Sequence, residues 1–538
     1  MDKLLSQLLA FPPPEGADNL TDSAFDSLVK DVVNVLQRTP ASALTSETED
    51  GGTLLQALDP RLNSVPYLYV LLAQSNSQQS HSGKTSSAFF VNNGLIDPMT
   101  PLWANAVHFL QKFDSRQIRY VGHEFRRLVD LIAKSAKSFG KPLLAVHPVR
   151  SAILRLDASS ETFTSTHTLF ASLCLQARAF RAALPILDKD ILGLPSTPPA
   201  GLSSLPSATG LSSLTYITES SGLSATLNYT DLIEYHLHGA MIYIGLKNWE
   251  RAYQFLSLVI ATPTQNVASS PMVEAYKKWT LVSLLLSGQA GRMPKTANPT
   301  AIKSFHAIGK PYETIAEAFK AGDAMKLQQE VEAGRDIWKE DNNRGLIDLV
   351  VSALPRFAIH KLESIYSTLS IAEIHHRLHP TELSRSAPSP ADLQATESQI
   401  LSMIASGTLN ATLSQPSSSS ESPTVLHFSP TQLSEDAQLA QVEEQIQRTI
   451  QVTNHIRAVD RRMANSKEYL SWLSKARQAA KKAGASGNFA TMGEVGGQSG
   501  MMAGGMGGDA MDMEWGENGY DIMDEDMMAG IQGGESGI

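Results

Sequence analysis

Phe357-Ala358-Ile359-His360-Lys361-Leu362-Glu363-Ser364-Ile365-Tyr366-Ser367-Thr368-Leu369-Ser370-Ile371-Ala372-Glu373 opens the stretch, ending at Phe428, whose punctuation decides the fold. Ile359, Leu362, Ile365 and Leu369 recur at spacings of three and four, which predicts a helix over Arg356 to Leu369. Ser370 to Glu373 reads as a capping box, in which a hydroxyl and a carboxylate each satisfy a free backbone N–H, so a short helix starts at Ile371. That helix carries Ile371, Ile374 and Leu378 on one side and must stop before Pro380, which has no N–H to extend it.

Ser389-Pro390-Ala391-Asp392 is a second entry signal, with a capping hydroxyl ahead of a proline at the first helical position. Leu393, Ile400 and Ile404 should face inward, and Gly407 supplies a left-handed stop. Beyond it the period changes from helical to alternating. Leu409, Ala411 and Leu413 fall on one face, Thr408, Asn410 and Thr412 on the other, and Val425-Leu426-His427-Phe428 follows a Ser-rich loop. Three helices and a two-stranded wing make a winged helix. Such a module commonly enters the major groove of DNA, with basic residues neutralising phosphates. Here no Lys or Arg occurs between Ser389 and Gly407, while Asp392 and Glu397 would repel a phosphate backbone, so the helix after the turn argues for a protein interaction module.

The 538 residues are enough for roughly three structural units, and 42% apolar content is enough for a sizeable interior. The formal charge of −10 is localised. No Lys or Arg follows Lys482, and the ten acids after it account for the whole excess, leaving residues 1–482 formally neutral. A neutral body has no global field to steer it to nucleic acid or an anionic membrane. Cys174 is the single cysteine, which excludes an intramolecular disulfide and a multi-thiolate zinc site; flanked by Leu173 and Leu175, it reads as a small buried residue. Neither a leader pattern before Pro12-Pro13-Pro14 nor a bilayer-length apolar run is present, so a protein of a reducing compartment is expected.

Residues 1–150 read as an N-terminal helical region. Leu4, Leu5, Leu8 and Leu9 form one stripe, and Phe25, Leu28, Val29, Val32, Val33 and Leu36 a clearer one; helices are expected again at Pro101 to Phe113 and Arg119 to Phe139. Gln74 to Ser87 reads as a polar loop. Its Gly83-Lys84-Thr85 lacks the earlier glycine of a phosphate-binding loop, because Gln78 stands there. From His167 the helices pair. Arg178-Ala179-Phe180-Arg181-Ala182-Ala183 and Lys247-Asn248-Trp249-Glu250-Arg251-Ala252 both place an aromatic three residues before an Ala, so that the small residue admits a neighbouring helix and the aromatic fills the gap. The two aromatics lie 69 residues apart, about two units of 34 residues as in tetratricopeptide repeats, although the Pro/Gly/Ser-rich loop from Leu194 to Ser224 interrupts the period. A stack of helical hairpins continuing through Met272 to Leu286, Tyr312 to Lys320 and Ala324 to Asp336 is expected.

Helical repeats leading into a winged helix resemble the PCI family of proteasome-lid, signalosome and initiation-factor subunits. Three runs make the resemblance more specific: Gly239 to Ala252; Glu274-Ala275-Tyr276-Lys277-Lys278-Trp279 with Leu281-Val282-Ser283-Leu284; and Asp341-Asn342-Asn343-Arg344-Gly345-Leu346. They are similar to the third-subunit family of the constitutive photomorphogenesis nine (COP-nine) signalosome, and the similarity spans about Thr166 to Phe428. The resemblance implies a non-catalytic scaffold within a hetero-oligomer of the nucleus and cytoplasm. That complex takes a ubiquitin-like modifier off cullin-based ubiquitin ligases, and its catalysis resides in another, metal-bearing subunit. The paralogous subunit of the proteasome lid is the alternative in the same class, and a winged-helix nucleic-acid-binding factor the alternative in another.

After the wing, Ser434 should cap a long helix on which Leu439, Val442, Ile446, Ile450, Ile456, Val459 and Met463 form a continuous stripe. A lone amphipathic helix cannot hide such a face, so it should enter a bundle. From Gly484 onward Gly, Met, Asp and Glu without period predict a disordered acidic tail. Catalytic constellations are not found. His236-Leu237-His238 is followed by Trp249 and Ala252 where a metal-dependent peptidase needs further ligands, and the His375, His376, His379 group has His376 where a zinc-peptidase helix needs Glu. The expectation is therefore a mainly α chain in five parts: an N-terminal helical region (1–150), a helical-repeat arm (151–355), a winged helix (356–430), a bundle helix (434–483) and the tail (484–538). No catalytic residue, cofactor, metal, nucleic acid or membrane is assigned. Assembly is assigned to wing residues Thr408, Leu409, Asn410, Leu413, Leu426 and Phe428, which pair edge to edge with other PCI subunits. Helix residues Val442, Ile446, Ile450 and Ile456 are assigned to a bundle with further subunits.

Overall fold

A computed structural model describes residues 6, 8–9, 11, 21–46, 53–81, 95–195, 206–208, 211–263, 268–378, 389–414, 424–428, 435–464, 469–476 and 478. The Gly83-Lys84-Thr85 run, Pro380, His379, Ser434 and everything after Gln478 lie outside them. Helices dominate. The N-terminal part contains α1 (Asp22–Arg38), α2 (Ser64–His81), α3 (Pro101–Lys112), α4 (Gly122–Ser138) and α5 (Leu143–Leu156), joined by one-turn helices at Ala41–Leu44, Leu54–Ala57 and Ser115–Ile118. Paired helices follow: α6 (Ser165–Gln176) with α7 (Phe180–Leu187), α8 (Tyr229–Gly245) with α9 (Trp249–Ala261), and α10 (Ser270–Ser287) with α11 (Pro299–Ala321). α12 (Ala324–Ala333) and α13 (Arg335–Glu340) lead into α14 (Arg344–Glu363), which enters the winged helix.

Burial follows the predicted stripes. On α1, Phe25, Val29 and Leu36 are buried, and Thr21 caps the helix by accepting from the Ala24 N–H. Thr100 caps α3 in the same way, ahead of Pro101. Each large aliphatic or aromatic side chain withdrawn from water adds about 1.5–3 kcal/mol, and one continuous core runs from Leu8 through Phe305. A second gathers residues from Leu281 to Leu354 around Tyr312 and Trp338; a third, from Ile359 to Phe428, belongs to the winged helix. Cys174 is fully buried, and burial pushes its thiol up to about 12.

The hairpins share a turn that the sequence did not announce. Arg178, Lys247 and Asn342 all have left-handed φ, at 52°, 59° and 54°. In each case the following N–H reaches back five residues: Ala179 to the Cys174 carbonyl, Asn248 to Tyr243 and Asn343 to Trp338, all at 2.9 Å. This Schellman-type closure satisfies carbonyls left free at a helix end and reverses the chain. Gly140 and Gly407 close α4 and the second winged-helix helix by the same bond, from Lys141 to Ala136 and Thr408 to Met403. Aromatic-on-glycine packing works between pairs and within one: a Cβ on Gly245 would lie 2.6 Å from the Phe180 ring of the preceding pair, and one on Gly309 2.4 Å from that of Tyr276 in its own.

Three expectations need correction. Gln74 to His81 continues α2 rather than forming a loop, since the buried faces of Leu71 and Ser75 carry the helix past the last apolar cluster. The helix expected over Arg356 to Leu369 ends at Glu363; Thr368–Ser370 is a strand, β1, and Ile365 is 63% exposed because it sits in the turn between them. Tyr312 to Lys320 is the second half of a 23-residue helix that runs through Pro311. The loop after Leu194 is also more than a spacer. Arg116 Nε donates to the Ser207 carbonyl, and Arg119 donates to the Pro206 and Ala208 carbonyls while its guanidinium lies 3.7 Å above the Tyr216 ring.

The chain divides into two units, Met1–Ile446 and Gln447–Ile538. The boundary falls within α17 (Glu435–Ala464), and residues 469–476 of the second unit are also helical. Among the described residues no helix is long and apolar enough to cross a membrane.

Candidate interaction surfaces

The winged helix is built by its caps. Ser370 Oγ accepts from the Glu373 N–H at the start of α15 (Ile371–Leu378), and Ser389 Oγ accepts from Asp392 at the start of α16 (Pro390–Ala405), whose carboxylate returns to the Ser389 N–H. Ile371, Ile374, Ile400 and Met403 fill the space between them. Within that interior His375 is buried and hydrogen-bonds Thr396 Oγ1 at 3.0 Å. His236 Nδ1 bonds the Leu232 carbonyl. Among the described residues no group of three or more His, Cys, Asp or Glu could hold a metal ion.

The wing has three strands where two are expected. β1 joins β2 (Ala411–Ser414) and β3 (Val425–Phe428) in the antiparallel order β1-β3-β2. The residue pairs Leu369↔Leu426 and Leu413↔Leu426 line up three leucines across the sheet, and Leu426 in the middle is fully buried. The alternation that predicted the wing did fall on the right face, because Leu409 and Ala411 are buried and Thr408, Asn410 and Thr412 are exposed. The assignment of interface residues changes, however. β3 is the central strand, so its backbone is paired on both sides, and Leu426 and Phe428 are core residues, as is Leu409. Among the described residues the edge strands of this sheet are β1 and β2. Thr408 ends α16, with its N–H and hydroxyl both bonded to the Met403 carbonyl. Beside it an open cleft of about 440 Å³ is lined by Arg356, Gln399, Ser402, Met403, Ser406 and Thr408.

On α17, Val442, Ile446, Ile450 and Ile456 are each about half exposed, at 51%, 50%, 46% and 52%. Leu439 and Met463 continue the same stripe and are exposed too. Leu439, Val442 and Ile446 of the first unit, and Ile450, Ile456 and Met463 of the second, are thus large apolar side chains that water still reaches.

A polar junction escaped the sequence reading although its residues were quoted in it. Lys278, 4% exposed, donates to Asn343 Oδ1 at 2.9 Å and pairs with Glu274 at 2.9 Å. Asn343 Nδ2 donates to the Tyr312 hydroxyl, which donates to Asp341, and Lys277 closes the network on both oxygens of Asp341 at 2.7 and 2.8 Å. Burial raises the Tyr312 hydroxyl, and Asp341 beside it adds to the effect. The runs Glu274 to Trp279 and Asp341 to Leu346, far apart in the chain, thus meet where the repeats hand over to α14. No local periodicity could signal this, since the pairing is between α10 and a turn some 65 residues on.

Comparison with known proteins agrees with this architecture. A family profile described as "COP9 signalosome complex subunit 3, N-terminal helical repeats" matches residues 26–301. The COP9 signalosome complex subunit 3 of Emericella nidulans is 35% identical over 430 residues, 80% of this chain and 83% of the relative. Those of Neurospora crassa and Arabidopsis thaliana are 30% and 26% identical, over 88% and 82% of this chain and 91% and 89% of their own. With mainly helical repeats, a winged helix and this similarity along most of its length, the chain belongs to the COP9 signalosome complex subunit 3 family.

Proposed function

We propose that the chain is a non-catalytic scaffold subunit of the signalosome, a hetero-oligomer in the nucleus and cytoplasm that removes a ubiquitin-like modifier from cullin-based ubiquitin ligases. The observation that carries the reading is the exposed stripe of α17. Large apolar side chains left exposed along one helix, Leu439, Val442, Ile446 and Ile450 at spacings of three and four and Ile456 and Met463 beyond them, are a standing cost in water, and full burial of each is worth about 1.5–3 kcal/mol. Helices from other subunits, packed as a bundle, supply that burial. The edge strand β2 supplies a second contact, to the winged helix of a neighbour, through the backbone N–H and C=O groups of its outer side. Thr408, Asn410 and Leu413 flank that edge, while Leu409, Leu426 and Phe428 hold the sheet in place from inside. Catalysis resides in another subunit. The proteasome-lid paralogue is the second reading of the same architecture, disfavoured by the names of the relatives. A nucleic-acid-binding factor is disfavoured by the absence of Lys and Arg along α16.

The test is Ile446→Asp with Ile450→Asp. Both positions are half exposed, so the variant chain should melt within about 1–2 °C of the parent, as surface substitutions do. Affinity purification with mass spectrometry should then recover the parent with its companion subunits and the variant alone. A large drop in melting temperature of the isolated chain, or undiminished recovery of companions, would sink the bundle. Signalosome subunits as companions support the first reading; proteasome subunits support the second. Removal of the modifier from a cullin by the purified chain alone would overturn the non-catalytic assignment.

A further inference from the structure

The open cleft beside Thr408, about 440 Å³, carries one charge and no counter-charge. Gln399, Ser402, Met403 and Ser406 line it at the spacing of one face of α16, Arg356 lines it from α14, and Thr408 stands three residues before β2. Met403 is buried, and the rest of the lining is polar. The polar atoms divide by role. Ser402 Oγ donates to the Gln399 carbonyl at 2.7 Å, while Ser406 Oγ and Thr408 Oγ1 each donate to the Met403 carbonyl at 3.0 Å. A hydroxyl whose proton is used on a carbonyl offers lone pairs to anything else. Arg356 is the reverse, a guanidinium with donors and no acceptor. It is exposed and makes no hydrogen bond or ion pair with any described residue. Phe357, whose ring centroid lies 5.7 Å from that of Phe319, and the fully buried Ile359 anchor the turn of α14 that presents it.

A ligand that satisfies this lining brings an anion for Arg356 and N–H donors for the hydroxyls. A peptide bearing an acidic side chain has both. A phosphate has acceptors alone, and it would face three hydroxyl oxygens beside the negative, C-terminal end of α16. We propose that the cleft receives an Asp or Glu side chain of the neighbouring polypeptide that meets the wing, its carboxylate paired with the Arg356 guanidinium and its backbone N–H groups on the hydroxyls of Ser402, Ser406 and Thr408. The volume suits such a segment, since ligand clefts span roughly 300–1,000 Å³. This rests on the reading that the edge of β2 meets a neighbour, and it adds the chemistry by which that neighbour is chosen. Backbone pairing along an edge is nearly indifferent to sequence, whereas one carboxylate held at one place fixes the register, and a slip of a single residue turns every side chain to the other face. An Arg–carboxylate pair left in water contributes little; covered by the docked neighbour, and bidentate, it changes affinity by about ten- to a hundredfold.

Arg356→Gln in the full chain, purified with its companions, tests the cleft. The side chain has no described partner, so the variant should melt with the parent, yet the companion at the wing should dissociate about ten- to a hundredfold faster on dilution. Arg344→Gln, which removes an exposed charge elsewhere on α14, should leave that rate unchanged. A parental rate in Arg356→Gln, or an equal acceleration in both variants, overturns the proposal. In complexes of an Arg356→Lys variant that retain the companion, a carbodiimide should condense the introduced amine with a carboxylate of that companion, located by mass spectrometry of the joined peptides. A link to a carboxylate of this same chain, or none, overturns it. A photoreactive phenylalanine analogue at the exposed Asn410 reports the edge contact separately. Capture of a companion there, with no effect of Arg356→Gln, removes the cleft and leaves the edge contact standing; no capture there removes both.

Discussion

At the scale of the residue, His167 shows how one side chain can cap, pack and titrate at once. Its Nδ1 accepts from the Thr164 N–H at 3.1 Å, so it fills the place of the Glu or Gln in a capping box at the start of α6. The ring is buried among Phe163 and Tyr235, and desolvation lowers its pKa to about 4. Because the folded pKa lies below the ordinary 6.5, stability is fully present above pH 6.5 and is lost as the pH falls towards 4, about 3 kcal/mol in all. His167→Gln keeps the acceptor and removes the titration. Denaturant melts at pH 7.5 and 5 should show a smaller acid loss in that variant than in the parent; equal losses would assign the acid sensitivity to other groups. Lys247 makes a different point. It is exposed and holds a φ of 59°, a conformation that a Cβ disfavours and glycine does not. Lys247→Gly should raise stability by about 0.5–1 kcal/mol, read as a higher urea midpoint, despite the usual cost of glycine.

Between elements, the polar junction fixes how α10, α11 and α14 meet. Asn343 is fully buried and is the member that touches both Lys278 and Tyr312. Asn343→Ala leaves a buried ammonium with a single partner and a hydroxyl without its donor, which should cost about 2–4 kcal/mol, a large fraction of a typical domain's stability. Thermal melts would show it directly. A loss below about 1 kcal/mol would mean that Glu274 and Asp341 suffice. The caps at Ser370 and Ser389 and the stop at Gly407 were legible in the sequence, because each is a local bargain between a side chain and backbone groups within five residues. β1 was not. Its Thr368-Leu369-Ser370 continues an apolar helical spacing, and only the partner strand Val425–Phe428, more than fifty residues on, draws it into a sheet.

Across the whole molecule, the segment around Ser207 and Tyr216 ties the middle of the chain to its N-terminal helices. Arg119 contributes two carbonyl contacts and a cation–π contact, and Tyr216 donates to the Leu156 carbonyl. Arg119→Ala should cost about 1–3 kcal/mol and make the Leu194 to Ser224 region the first site of limited proteolysis, detected by mass spectrometry. Cleavage elsewhere first, at parental rates in this region, would show that the other contacts hold the segment alone.

The sequence alone determined the helical repeats, the winged helix and the amphipathic stripe of α17, because these depend on periodicity and capping, which are local. It also determined the charge division near Lys482, which needs only a count. The tertiary structure alone decided which strand is central, and so which wing residues are core; that Lys278 and Asn343 meet; and that the irregular loop clasps distant helices. Those outcomes rest on contacts between residues far apart in the chain, where the free energy depends on burial and hydrogen-bond completion in three dimensions and leaves no periodic trace in one.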